Sequence, residues 1–407
     1  MRSPKGTFDV LPDAERARAL IADHGAEILD AAGYGRIETP AFEDTELFER
    51  GVGESTDVVR KEMFTFEDQG GRSITLRPEG TAPICRAYVE HGMHKLPQPV
   101  KLWYRGPFFR YERPQEGRFR QFNQIGAEAI GTDSPVADAE LIVLLDELLR
   151  GLGIDDAELR LSSLGNPEAR AGYRERLRDY LREHRVELSD DVRSRIDTNP
   201  LRAFDADHAG TRAVMAEAPT MIDSLDEADA EHLAAVRRML DAAAVPYRLD
   251  GTLVRGLDYY TRTVFEFTCE RLGAQSGLGG GGRYDGLIEQ LGGPPTPGVG
   301  WGAGIERILL AMPEAPPDRI PEAFVIAADG DLERAFGVAL SLRRARLATR
   351  LDLAGRSFKN QMRQADRSGA RVAVILEDGG GVQLREMGSG EQRAVALDEL
   401  ADAIARG

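Results

Sequence analysis

A chain of 407 residues, 42% of them hydrophobic and 29% charged, can bury a large core and is long enough for two or three domains. No apolar run approaches the roughly 18 residues that a membrane helix needs, and the opening MRSPKGTFDVLPDAE lacks the apolar stretch of a secretory signal, so a cytoplasmic location and no membrane partner are expected. Cys85 and Cys269 stand alone, which excludes a disulfide framework and a cysteine-rich zinc site; the net charge of −16 weighs against nucleic acid as a partner unless positive charge is gathered locally.

A helical pattern begins at Asp13, with Leu20, Ile21, His24 and Ile28 at helical spacing, and the Gly33-Tyr34-Gly35 break ends it. The following GYGRIETPAFEDTELFERGVGE predicts an extended strand interrupted at Pro40, a residue that suits an edge or boundary. The alternating run Met63 to Phe66 and a turn at Gly70-Gly71 lead to Arg77-Pro78-Glu79-Gly80-Thr81. Gly80 lets the backbone approach a ligand closely with Glu79 and Thr81 presented beside it. An ordinary turn into a helix starting near Thr81 explains the same residues.

The stretch Tyr104 to Glu128, YRGPFFRYERPQEGRFRQFNQIGAE, predicts two strands joined by a loop at Pro114 to Gly117. Arg105, Arg110, Arg113, Arg118 and Arg120 face only Glu112 and Glu116 in sequence, so the mouth of this hairpin is cationic. Strand alternation puts Phe122, Gln124 and Glu128 on one face of the returning strand, and Arg110 with Glu112 on one face of the first. A cation, a carboxylate, a ring and an amide then meet in one place. A merely solvated, charged hairpin requires no such convergence.

Leu141, Leu144, Leu145 and Leu148 mark an amphipathic helix that Gly151 or Gly153 stops, and LRLSSLGNPE reads as strand and turn. From about Pro167 to Ala244 the chain is helical and polar, an insertion between two strand-rich blocks. Leu253 to Tyr260, LVRGLDYY, offers Arg255 beside Gly256, then an acid and two tyrosines. If extended, Tyr259 and Tyr260 point to opposite faces, one walling a pocket and the other packing behind it. A buried tyrosine pair in a plain core strand is the alternative. GLGGGGRY at 277–284 is backbone able to bend against a ligand, and Gly298 to Arg307 leads from a strand into an apolar helix without the GK[ST] of a Walker loop.

MPEAPPDRIPEAF is a proline-rich linker, which divides the chain into 1–316 and 317–407. Beyond it a strand (323–328), a helix (332–345) and strands at 348–351 and 371–376 predict a small α/β domain. Arg343 to Arg371 holds nine basic residues with only Asp352 and Asp366, a patch suited to a phosphate backbone or else a solvated helix face.

Several of these strings resemble one family. FRYERPQEGRFRQFNQIGAE resembles motif 2 of class II aminoacyl-tRNA synthetases in the form of histidyl-tRNA synthetases. LVRGLDYY and GGRYDGL resemble the two histidine-specific motifs, 298–307 resembles motif 3, and the segment around Pro40 resembles motif 1. The resemblance covers essentially the whole chain in order, departing at the short EDGGG loop of the last domain. It implies an α+β fold: an antiparallel sheet with flanking helices and a helical insertion at about 167–244, plus a C-terminal α/β anticodon-binding domain.

The same resemblance implies a homodimer that joins L-histidine to tRNA(His) with ATP and Mg²⁺, the metal being carried by ATP. Arg110 and Arg255 then act on the α-phosphate from opposite sides, and Arg307 holds the γ-phosphate. Phe122 stacks on adenine, Glu112 reads its amino group, and Arg113 lies near the phosphates. Histidine falls to Glu79, Gly80, Thr81, Gln124, Glu128 and Arg255, with Tyr259 and Tyr260 closing the pocket. Gln115 and Arg118 meet the tRNA acceptor end. A catalytically inactive, histidine-binding regulatory paralogue of histidine biosynthesis is the other reading; such relatives usually lose the LVRGLDYY arginine or the last domain, and both are present here.

Overall fold

The computed structural model describes residues 1–53, 56–253, 256–313, 320–328 and 330–406, side chains at 205, 274 and 275 excepted. The chain forms two compact units, Met1–Pro316 and Pro317–Gly407. In the first, α1 (Pro12–Ala31) precedes β1 (Gly35–Arg36), β2 (Phe42–Asp44) and α2 (Thr45–Val52). The extended reading of this region therefore holds only as far as Asp44. Leu47, Phe48, Gly51 and Val52 are buried together, a spacing that gives a helix one apolar face and gives a strand none.

Strands β3 (Phe64–Glu67) and β4 (Ser73–Leu76) join β2 in a three-stranded antiparallel sheet, and α3 (Thr81–Glu90) follows. The predicted hairpin is β5 (Val100–Phe109) with β6 (Gln121–Ile130). After it come α4 (Pro135–Gly151), β7 (Glu158–Ser163), α5 (Pro167–Glu183), α6 (Asp190–Arg195), α7 (Ala209–Ala216) and α8 (Glu227–Ala242). The unit closes with β8 (Tyr247–Leu249), β9 (Thr261–Thr268), β10 (Gly277–Arg283), α9 (Leu287–Gln290), β11 (Gly298–Gly304) and α10 (Ile305–Ala311).

Eight of these strands form one sheet, in the order β1-β5-β6-β11-β10-β9-β7-β8, parallel only at its two outer pairs. Strand alternation gives the sheet two unlike faces. Ile125, Ala127 and Ala129 of β6, Val299, Trp301 and Ala303 of β11, and Phe265 and Phe267 of β9 pack on α1, α4, α8 and α10. Phe265 and Phe267 are fully buried, each stabilising the fold by about 1.5–3 kcal/mol. On the other face β11 presents Gly298, Gly300, Gly302 and Gly304, so no side chain of that strand fills the space above it.

The helical run after Asn166 packs as two groups. Residues of α5, α6 and α7, among them Tyr173, Leu177, Leu181, Val192 and Val214, make a core of their own. Leu233, Val236 and Leu240 of α8 instead join the main core against α4.

The second unit contains β12 (Ala323–Ala327), α11 (Leu332–Arg344), β13 (Thr349–Leu351), α12 (Phe358–Arg367), β14 (Val372–Leu376), β15 (Val382–Glu386), β16 (Gln392–Ala394) and α13 (Leu400–Ala405). Its sheet runs β13-β12-β14-β15-β16, parallel through the first three strands and antiparallel beyond. Both β12 and β14 are wholly buried, as continuous apolar strands covered on two faces must be. Among the described residues no helix is long and apolar enough to cross a membrane.

Candidate active site

A cavity of about 360 Å³ opens on the glycine face of the large sheet. Its floor is β10 and β11, in register so that Gly280 faces Gly302 and Gly282 faces Gly300. Gly300 is a requirement of packing: a Cβ there would lie 1.6 Å from Oε2 of Glu128. Gly80 is another, because a Cβ would fall 2.6 Å from the ring of Tyr104.

One end of the cavity is acidic and aromatic. The first amides of α3 have no helical partner, and Glu79 supplies one, accepting from the backbone nitrogens of Thr81 at 2.8 Å and Ala82 at 2.9 Å. Tyr259 donates its hydroxyl to the same carboxylate at 3.3 Å. Burial raises the Glu79 pKa, with the two amides and the charge of Arg110 pulling the other way. Gln124 shares a face of β6 with Phe122, and its amide lies above Gly302.

Glu128 differs from expectation. It is fully buried behind the cavity wall: Oε1 accepts from the Thr81 hydroxyl at 2.8 Å and Oε2 from the Tyr284 hydroxyl at 2.7 Å. Its carboxylate lies in the space that Gly300 leaves open and reaches the cavity through Thr81 rather than directly. Burial pushes its pKa up to about 8, the two hydroxyl donors opposing and Glu79 adding to the rise.

The tyrosines also depart from the extended picture. Strand β9 begins only at Thr261, and residues 256–260 form a turn, so Tyr259 and Tyr260 both line the cavity with ring centroids 4.7 Å apart, edge to face. Gly256 and Leu257 line it as well. Arg255, and Val254 before it, lie outside the described residues.

The other end is cationic. Strand β5 closes at Phe109, so Arg110 and Glu112 sit in the following loop and share no strand face, yet the loop delivers both to the cavity. Arg110 donates through Nε to the carbonyl of Pro78 at 2.9 Å, and its guanidinium lies 5.6 Å from the centre of the Phe122 ring. Arg118 is ion-paired with Glu112. Arg307, in the first turn of α10, donates to the carbonyls of Gly277 at 2.8 Å and Gly117 at 3.2 Å. Burial lowers its pKa, and the charges of Arg118 and Arg110 depress it further. Three guanidinium groups gathered in one cavity repel one another, and an entering polyanion relieves that repulsion. Arg113 and Gln115 lie on the same loop but do not line the cavity; Gln115 and Arg118 close the loop by exchanging backbone bonds at 3.0 and 2.9 Å.

Lining side chains to which the sequence reading gave no role include Tyr104, Phe119, Glu266 and Glu306. Glu266 had a usable signal, being a charged residue in a strand whose neighbours Val264, Phe265 and Phe267 are all buried. Glu306 is held by the Asn123 backbone nitrogen at 2.9 Å and by Arg18 at 2.6 Å, a long-range arrangement without a local pattern. Among the described residues no group of three or more His, Cys, Asp or Glu side chains is set to hold a metal ion.

An antiparallel sheet with a glycine face, a helical insertion and a separate α/β unit together define the class II aminoacyl-tRNA synthetase architecture. The family model for Histidyl-tRNA synthetase matches residues 6–308, and that for Anticodon binding domain matches 322–406. Histidine–tRNA ligases of Rubrobacter xylanophilus and Pelotomaculum thermopropionicum are 49% and 48% identical, each over 97% of this chain and 96% and 95% of theirs. The crystal structure of apo histidyl-tRNA synthetase from S. aureus superposes with a TM-score of 0.82 at 35% identity, covering 99% of both chains. A Bacillus halodurans protein described as an ATP phosphoribosyltransferase regulatory subunit/histidyl-tRNA synthetase has the same fold, with a TM-score of 0.68 at 24% identity over 92% of this chain and 97% of its own. The chain belongs to the histidyl-tRNA synthetase family.

Proposed function

We infer that the chain activates L-histidine with ATP and passes the histidyl group to the 3′ end of tRNA(His). The observation that carries this reading is that one cavity gathers the cations Arg110, Arg118 and Arg307 with Glu79, Tyr259 and Tyr260. In the first step a carboxylate oxygen of histidine attacks the α-phosphorus of ATP, forming the mixed anhydride and releasing diphosphate. In the second a terminal ribose hydroxyl of the tRNA attacks the histidyl carbonyl and AMP leaves.

Charge spreads over phosphate oxygens in the first step, and positioned cations supply its stabilisation. Arg110, oriented by Pro78 and Phe122, bridges the α-phosphate and the substrate carboxylate; Arg307, fixed by two carbonyls, takes the γ-phosphate. Phe122 stacks on adenine and Glu112 reads its amino group, while Arg255 completes the α-phosphate clamp and Arg113 stands near the phosphates. Glu79 takes the substrate ammonium beside Gly80 and Thr81, and Gln124 and the two tyrosines enclose the imidazole. Glu128 acts from behind, through the Thr81 hydroxyl. Gln115 and Arg118 are proposed to meet the acceptor end once the loop opens.

Magnesium would arrive on the ATP phosphates. The metal would neutralise part of the phosphate charge, and Glu266, which lines the cavity beside Gly277, would offer it an oxygen ligand. The same reading carries a cytoplasmic homodimer, for which Phe42 and Phe66, 56% and 48% exposed on the three-stranded sheet, offer apolar surface. Charging of a tRNA(His) transcript with labelled histidine tests the overall reaction: the chain with ATP and Mg²⁺ forms histidyl-tRNA, and failure with a folded chain overturns the proposal. The regulatory reading is disfavoured by an intact motif arginine and by the presence of the second unit.

A further inference from the structure

We propose that Arg170, carried by the helical insertion, is a positioning residue that holds the turn bearing Tyr259 and Tyr260 and thereby sets affinity for histidine rather than for ATP. This rests on the reading that the acidic, aromatic end of the cavity takes histidine. Residues 256–260 have no strand partner, since β9 begins to pair only at Thr261. The turn is fastened by two elements. Toward α2, the Asp258 backbone nitrogen donates to the carbonyl of Val52 at 3.1 Å. From α5 comes Arg170, whose Nη1 donates to the carbonyl of Asp258 at 3.1 Å and to that of Tyr260 at 2.9 Å.

Those two carbonyls flank Tyr259. One nitrogen of the insertion therefore holds the peptide that enters Tyr259, whose hydroxyl reaches Glu79, and the peptide that leaves Tyr260. Charged donors make the stronger hydrogen bonds to carbonyls, and cutting them leaves buried acceptors unpaired. The arrangement is costly in itself: burial pushes the Arg170 pKa down to about 10, and Arg174, one helical turn along, adds to the fall. Packing of α5 does not account for it, because Tyr173, Leu177 and Leu181 supply the helix's buried contacts. The exit from the turn is also tied to the insertion's root. Arg262, left-handed at φ 43°, donates its backbone nitrogen to the Gly165 carbonyl at 2.9 Å and its Nε to Asp229 at 2.9 Å.

Arg110, Arg118 and Arg307 stand on other elements, the β5–β6 loop and α10, so loosening this turn leaves those three cations in place. Histidine-dependent pyrophosphate exchange in the full chain separates the two ends. Arg170→Ala is expected to raise the histidine KM about tenfold or more while the ATP KM stays within about twofold. Arg170→Lys recovers part of the loss, because an ammonium can donate to both carbonyls, and Arg170→Gln recovers less. Should Arg170→Ala fail to fold, the ratio of the two KM values in the Lys and Gln variants decides, and a wild-type ratio in both overturns the proposal. A folded Arg170→Ala whose two KM values are unchanged, or move together, also overturns it, whatever happens to its melting temperature. Absence of histidine-dependent exchange in the wild type would instead sink the underlying functional reading, so the two failures are distinguishable.

Discussion

Thr81 and Glu128 are joined by a 2.8 Å hydrogen bond from hydroxyl to carboxylate, across 47 residues of chain and behind the cavity wall. The backbone nitrogen of the same threonine donates to Glu79, so Thr81 stands between two buried acids. Removing Glu128 leaves the hydroxyls of Thr81 and Tyr284 without their acceptor and loosens the residue that lines the substrate side. Glu128→Ala should raise the histidine KM several-fold with little change in the ATP KM; equal shifts of both constants contradict this account.

Glu128 also gives a pH signature. Its folded pKa of about 8 lies above the ordinary carboxylate value of 4.5, so its contribution to stability is fully present below about pH 4.5 and is lost as pH rises through 8. The stability of the unliganded wild type should therefore fall relative to that of Glu128→Gln between those values and run parallel to it above. Chemical denaturation at a series of pH values checks the slope, and a difference independent of pH contradicts it.

Arg307 is oriented by the carbonyls of Gly277 and Gly117 at the cationic end of the cavity. Arg307→Ala should weaken ATP use, raising the ATP KM or lowering kcat by about tenfold or more, while the histidine KM moves less. Lysine should rescue in part because it keeps the charge and loses the fork. Steady-state exchange kinetics with ATP and histidine varied separately measure the split.

Two glycines predict opposite signs. A Cβ at Gly300 meets Glu128 at 1.6 Å, so Gly300→Ala should destabilise the first unit by about 1–3 kcal/mol or more. Gly337, inside α11, has no atom within 4 Å of where a Cβ would stand, and alanine there should stabilise the second unit by roughly 0.5–1 kcal/mol. Urea unfolding of both variants reads the two signs.

Ending the chain after Pro316, at the boundary of the first unit, should spare histidine-dependent exchange and weaken tRNA charging, since every described residue of the cavity lies upstream. Loss of exchange from a folded truncation contradicts the division of labour.

Local patterns made much of this legible. The β5–β6 hairpin, α4 and the alternate glycines of β11 announce themselves by periodicity, and motif resemblance named the arginines that meet at the cavity. What escaped depends on tertiary partners. Thr45–Val52 is helical because Phe48 and Val52 find a buried face, which an isolated proline-bearing segment does not reveal. Tyr259 and Tyr260 lie side by side because carbonyls on both sides of Tyr259 are held by Arg170, 88 or more residues away in sequence. Glu128 withdraws behind Thr81 because Gly300, on another strand, leaves room for it. Register and alternation predicted the face it occupies, but not how deep it lies.

Pyrophosphate exchange measured with ATP, Mg²⁺ and each of the twenty amino acids in turn tests the central claim most directly. The account predicts exchange with histidine and none above background with the other nineteen, because Glu79, Gln124, Tyr259 and Tyr260 are proposed to take the ammonium and imidazole of that substrate. Exchange driven by another amino acid, or no exchange with histidine from a folded chain, would contradict it.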